Sequence, residues 1–334
     1  MKKQGVVGIV LALMVVTLGV GLSLSAQRSV TLATHAVGSL YNSLGTGLAS
    51  VLSRRSPFLV RVQPFAGPPA WLPSMEKGET DTGLLTSADA VFASKGMALY
   101  KKPYKNSRIL IVGGAVYFGF YVPKDAPIET VADLKGKRIP TDWPGIPIIR
   151  LSTTGSLATA GLTLDDVVKV PVSDIAAASQ AFLEGRTDAG WVGVGGAVVE
   201  EANARKGGVK YVSVIDTPEA AKRMADIYPG SYPAVVKAGT ATGVVKDTTL
   251  MANDIYLVAA KELSEETAYQ VVKTLWDHNS ELGGAFHLLK TWVRERMVST
   301  RAVLPYHPGA IKFFREKGVW SKEMEKLQTE LLKP

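Results

Sequence analysis

The run from Arg108 to Val122 constrains the fold of this chain more than any other stretch. It is apolar and β-prone, well beyond the about five or six residues of an ordinary strand, and it is interrupted by Gly113, Gly114 and Gly119. A strand that leaves one lobe and enters another has this form. Its expected partner comes late in the chain, where Asp247 to Ala259 also reads as extended. Two crossings imply two lobes joined by a two-strand hinge, with the first lobe built from both ends of the chain.

The segments around these runs alternate. Ser29 to Thr34 is β-prone, and Leu40, Leu44, Leu48, Val51 and Leu52 then recur at helical spacing, with Ser39 placed to cap the helix. Leu59 to Gln63 reads as a second strand, a helical piece holds Met75 and Glu76, and Gly83 to Leu85 reads as a third strand. Between the crossings come a strand at Lys137 to Ile139, a helix from Ile149 to Thr159, and a strand from Val167 to Val170. A helix from Ala176 to Glu184 and a strand from Asp188 to Val194 follow. The C-terminal part is expected to be helical over Glu265 to Leu275, Leu282 to Met297 and Ile311 to Lys317. This rhythm predicts an α/β fold with a mainly parallel sheet.

Lys2 and Lys3, the apolar run from Gly5 to Leu22, and Ser23-Leu24-Ser25 follow the order of a secretory leader over residues 1–25. The alternative is an uncleaved membrane anchor, since the run is at the lower limit for a span. Either way the lysines stay inside and the rest is exported, which predicts a periplasmic protein. No cysteine is present, so the chain has no disulfide and no thiolate metal site. The formal charge is +8, about +6 without the leader lysines, and a modest positive excess suits an anionic ligand. The basic residues are dispersed, which argues against nucleic acid. His35, His278, His287 and His307 lack metal-ligand spacing, and no nucleophile elbow or zinc-protease motif occurs. The expectation is therefore a monomeric binding protein without catalytic residues, cofactor or metal. An exported enzyme and a sensor subunit for a membrane receptor are the competing classes.

Four stretches resemble one family, the TAXI-type solute-binding proteins of tripartite ATP-independent periplasmic (TRAP) transporters. They are Gly38-Ser-Leu-Tyr41, the Met75 to Leu84 turn with its Gly-Glu-x-Asp-x-Gly pattern, Ile128 to Arg138, and Pro305 to Gly318 with Pro-x-His-Pro-Gly-Ala. The resemblance implies a type II periplasmic-binding-protein fold. Lobe I would comprise 29–117 and 252–334, and lobe II 118–251. It also implies a small-molecule ligand held between the lobes and a TRAP-type permease, driven by an ion gradient, as partner.

Gly38, Ser39 and Tyr41 sit at a strand-to-helix turn, where unpaired N–H groups and the helix dipole can hold a carboxylate; an ordinary capped helix would look the same. Phe65 and Trp71 stand where the family is usually polar, and Trp71 could equally pack between helices. Thr86 and Ser87 end the third strand, with Ala88 where the family has aspartate and Asp89 one place later. At Asp142 to Ile148 the family's Gly-Ser-Gly-Thr is replaced by a proline-rich apolar loop carrying Trp143, and Arg150 follows on the first helical turn. Arg150 opposes the dipole there, so a bound carboxylate or Asp142 would compensate it. Trp191 is a candidate wall of the pocket. Together these departures predict a small organic anion, a carboxylate with a body more apolar than glutamate or 2-oxoglutarate.

Overall fold

A computed structural model describes residues 28–37, 39–144 and 147–333. The leader, Gly38, Gly145 and Ile146 lie outside the described residues. Ten strands form: β1 (Arg28–Thr34), β2 (Phe58–Pro64), β3 (Thr82–Thr86), β4 (Ser107–Pro123), β5 (Arg138–Asp142), β6 (Val168–Val172), β7 (Gly190–Gly193), β8 (Val209–Tyr211), β9 (Ser231–Val236) and β10 (Thr248–Ala260). The helices are α1 (Leu40–Arg55), α2 (Pro68–Glu76), α3 (Ser87–Lys95), α4 (Pro147–Ala158), α5 (Ile175–Leu183), α6 (Ala197–Arg205), α7 (Pro218–Ile227), α8 (Glu265–Asp277), α9 (Leu282–Ala285), α10 (Pro308–Glu316) and α11 (Lys322–Leu331).

The two long strands run side by side and antiparallel, from Ser107↔Ala260 to Phe118↔Met251. Their partners change along their length. Ile255 to Ala259 of β10 pair with β3, whereas Thr248 to Asn253 pair with β9. On β4, Phe118 to Tyr121 pair with β7 and Tyr121 to Pro123 with β8. One half of the sheet is thus β2-β1-β3 extended by one end of β10 and β4, and the other half is built on their opposite ends. This is the two-lobed α/β fold with a two-strand hinge. Among the strands described, parallel ladders join β1 with β2 and β3 and form the separate β5–β6 pair, whereas the crossing strands pair antiparallel with one another.

At the crossing the register slips: Asp254 faces Ala115, but Tyr256 faces Val112. One residue of β10 therefore stands against Gly113 and Gly114 of β4, a bulge of the kind that bends a strand. Both glycines are required by contact. A Cβ on Gly113 would lie 2.5 Å from the ring of Trp292, and one on Gly114 would lie 2.5 Å from the Thr291 hydroxyl.

Helix α1 shows how sequence becomes packing. The Ser39 hydroxyl accepts the Asn42 N–H at 3.1 Å, Arg54 and Arg55 occupy the last turn, and Leu44, Leu48, Val51 and Leu52 are buried. Burying each such side chain contributes about 1.5–3 kcal/mol, far more than the cap. The expected long helix from Leu282 to Met297 does not form. It breaks after Ala285 into short 3-10 turns at His287–Thr291 and Arg294–Arg296. Gly283 and Gly284 favour the helix weakly, and the break lets Trp292 turn onto the hinge glycines.

Candidate functional site

Where the lobes meet, a cavity of about 550 Å³ opens beside the hinge. Its floor is β4, through Val116 and Phe118, with Ile255 of β10. The start of α1 supplies Leu40, Tyr41 and Leu44; the turn after β7 supplies Gly193 to Gly195; Leu288 and Trp292 close it from the C-terminal segment. The lining is mostly apolar, with Tyr41, Tyr117, Thr240, Thr291 and His287 as the residues that carry polar groups.

Strand β1 ends at Thr34, and α1, whose first residues line the cavity, begins at Leu40. The amides of Leu40 and Tyr41 have no acceptor among the described residues, whereas the Asn42 and Ser43 amides are taken by Ser39. Two unused donors at a helix N-terminus therefore border the apolar space. The Tyr41 ring stacks on His35, with centroids 4.1 Å apart. Burial, reinforced by the charge of Asp89, pushes the Tyr41 phenol well above its usual range, so it is a neutral donor. Burial also lowers the His35 imidazole below 6.5, against the opposing pull of Asp89, so it is neutral at pH 7.

The other sequence candidates divide. Gly38 lies outside the described residues. Ser39 caps α1. Phe65 is partly buried against the core, and its N–H donates to Thr34 O at 3.0 Å. Thr86 caps α3: its hydroxyl accepts the Asp89 N–H at 3.0 Å and donates to the Asp89 carboxylate at 2.7 Å. The Tyr100 hydroxyl donates to the second carboxylate oxygen at 2.9 Å. Asp89, displaced by one place in the sequence, is thus held as a structural cap. Ser87 is fully engaged, donating to Gly230 O at 2.6 Å and accepting the Asp254 N–H at 3.1 Å. It joins α3 to the hinge strand and to the turn before β9.

Three tryptophans turn away from the cavity. Trp71 is fully buried with its ring under Gly83, where a Cβ would lie 2.7 Å away. Trp191 packs edge-to-face on Phe120 at 4.8 Å. Trp143 is fully buried, its backbone N–H donating to Val172 O at 3.1 Å, and both it and Asp142 adopt left-handed backbone, with φ of 55° and 74°. Arg150 is exposed and makes no ion pair among the described residues, so Asp142 does not compensate it. Among the described residues Tyr41 is the one sequence candidate that lines the cavity.

Sequence reasoning missed Val116, Phe118, Leu288 and Trp292 as lining residues. The glycine pair within the long strand was the available signal, because a strand glycine marks the close approach of another group.

Across the hinge from Ile255, Asp254 is 1% exposed and forms a charge-bearing network. The Arg296 guanidinium meets it at 2.5 Å, the Tyr232 hydroxyl donates to it at 2.6 Å, and Arg296 Nε donates to Gly113 O at 2.9 Å. Burial next to Asp254 pushes the Tyr232 phenol up to about 12. Among the described residues no group of histidines and carboxylates could hold a metal ion, and no helix is long and apolar enough to cross a membrane.

Two lobes, a two-strand hinge and a cavity at the crossing define the periplasmic-binding-protein fold. A TctC solute-binding protein from Polaromonas shares it: 16% identity, 90% of this chain and 99% of that one covered, TM-score 0.52. So does a putative periplasmic sulfonate-binding protein, SsuA, from Methylobacillus flagellatus KT, with 15% identity, 87% and 88% covered, and TM-score 0.50. Residues 32–318 match the NMT1-like family, and the chain belongs to it.

Proposed function

We propose that the protein is a periplasmic solute-binding protein that closes on a small organic anion and delivers it to a TRAP-type permease driven by an ion gradient. The observation that carries this reading is the apolar cavity beside the hinge, bordered by the start of α1, whose first two amides have no acceptor among the described residues. Its volume lies in the range of small-molecule sites. The ligand's carboxylate meets the Leu40 and Tyr41 amides and the neutral Tyr41 hydroxyl, and its apolar body lies on Val116, Phe118 and Trp292. Because the lining comes from both sides of the crossing, the ligand favours the closed arrangement over the open one. The lobes are assigned as 29–117 with 252–334, and 118–251, boundaries that fall within a few residues of the register slip at Asp254. The TAXI-like motifs support the permease assignment.

A thermal-shift panel tests the ligand class. Branched or aromatic monocarboxylates are set against glutamate, 2-oxoglutarate and alkyl sulfonates of matched size. A ligand at a hundred times its Kd adds about 2.7 kcal/mol, or roughly 5 °C in Tm. Preferential stabilisation by apolar monocarboxylates is expected. Preference for the dicarboxylates rejects the apolar body, and preference for sulfonates rejects the carboxylate. Loss of uptake in a deletion strain, abolished equally by collapsing the ion gradient, tests the permease.

A further inference from the structure

The loop after α3 is built unlike the rest of the surface. Tyr100 and Tyr104 point inward, buried and edge-to-face at 6.2 Å, and the Tyr100 hydroxyl is fixed on Asp89. Backbone bonds close the loop: Met97 N–H donates to Phe92 O at 2.9 Å, Tyr100 N–H to Met97 O at 3.0 Å, and Tyr104 N–H to Ala93 O at 2.8 Å. Gly96, left-handed at φ 66°, lies against the Lys102–Pro103 backbone, where a Cβ would come within 2.7 Å. The loop is therefore an ordered platform.

What it presents outward is a combination of apolar and cationic side chains. Met97 is 47% exposed and Leu99 48% exposed, while Lys95, Lys101, Lys102 and Lys105 are all exposed. None of the four lysines makes an ion pair among the described residues, although lysines elsewhere on the surface commonly do. Lys102 lies over the Tyr104 ring at 5.6 Å. The C-terminal end extends the patch: Leu332, 54% exposed, and Lys333 border the same concavity as Lys95 and Lys105, with Glu330 the one acid there.

We propose that this loop touches an anionic phospholipid surface. Met97 and Leu99 enter the headgroup boundary, and Lys101, Lys102 and Lys105 meet the phosphates. Interfacial binding uses both terms, apolar insertion and attraction of basic residues at about 1 kcal/mol each. Residence on the bilayer would keep the protein beside a membrane partner whether or not the leader is retained.

Because the chain contains no cysteine, one label reports one position. A polarity-sensitive fluorophore is attached at Met97→Cys in the full chain, and at Asp125→Cys, in the turn after β4, as a control. With phosphatidylglycerol vesicles the label at 97 is expected to shift to the blue and be quenched by lipid-borne nitroxide, while the label at 125 is unchanged. The response should vanish at high salt. Adding Lys101→Glu and Lys102→Glu to the labelled chain should weaken it by at least about 30-fold. No response, an equal response on neutral phosphatidylcholine vesicles, or no effect of the charge reversals would overturn the proposal. A shift seen only with membrane fragments containing protein would overturn it in favour of a protein partner. The readout needs no ligand, so it is independent of the transport reading.

Discussion

The segments leading into α1 and into α4 each follow a strand, β1 and β5, and they use their residues in opposite ways. At α1 the turn is polar: Ser39 caps the helix, and the next two amides have no acceptor among the described residues. At α4 the strand β5 leads through Asp142 and Trp143 in left-handed backbone, and the indole is committed to the core. Left-handed conformation costs a non-glycine residue about 1–2 kcal/mol, and a buried indole more than offsets that. Leu40 and Tyr41 of α1 line the cavity, whereas the Trp143 ring is buried and lies outside its lining.

The largest test of that contrast is Trp143→Ala, which should remove about 3–5 kcal/mol of stability in denaturant unfolding, with the ranking of bound ligands unchanged. A changed ranking with little loss of stability would mean that Trp143 faces ligand after all. Next, Ser39→Ala should cost about 1 kcal/mol of stability. Any loss of carboxylate affinity beyond the stability effect would sharpen the assignment of this helix end, and isothermal titration measures it. The smallest effect concerns pH. His35, stacked on Tyr41, and His307, whose Nδ1 accepts the Gly309 N–H at 3.2 Å as the cap of α10, both have imidazoles lowered by burial. The unfolded chain then binds protons more readily than the folded one, so stability falls as pH drops through 6.5 and below. His307→Asn, which keeps a cap acceptor and cannot titrate, should flatten part of that decline in Tm between pH 7.5 and 5.5, a window set by the unperturbed imidazole value of about 6.5.

The architecture was legible in the sequence because strand crossings leave a mark on length and composition. The run from Arg108 to Val122 and its partner at Asp247 to Ala259 correspond to β4 and β10. Helix α1 was readable from its apolar spacing and from Ser39. The site was less legible. Trp71, Trp143 and Trp191 are large and stand near motif positions, but a ring's direction depends on what lies behind the strand, such as Gly83 or Phe120, which local sequence does not state. Leu288 and Trp292 were hidden for a different reason. The apolar spacing from Leu282 to Met297 suits a helix, and tertiary contact with the hinge glycines overrides it.

The bulge at Gly113 and Gly114 also bears on how this chain can change over generations. Trp292 fills the space that two side chains would occupy, and it comes from a part of the chain distant from the glycine pair. Enlarging either glycine collides with the indole, and shrinking the indole alone leaves a void beside the cavity. Substitutions there are viable only as a set, so lineages that alter the width of this hinge must do so in concerted steps.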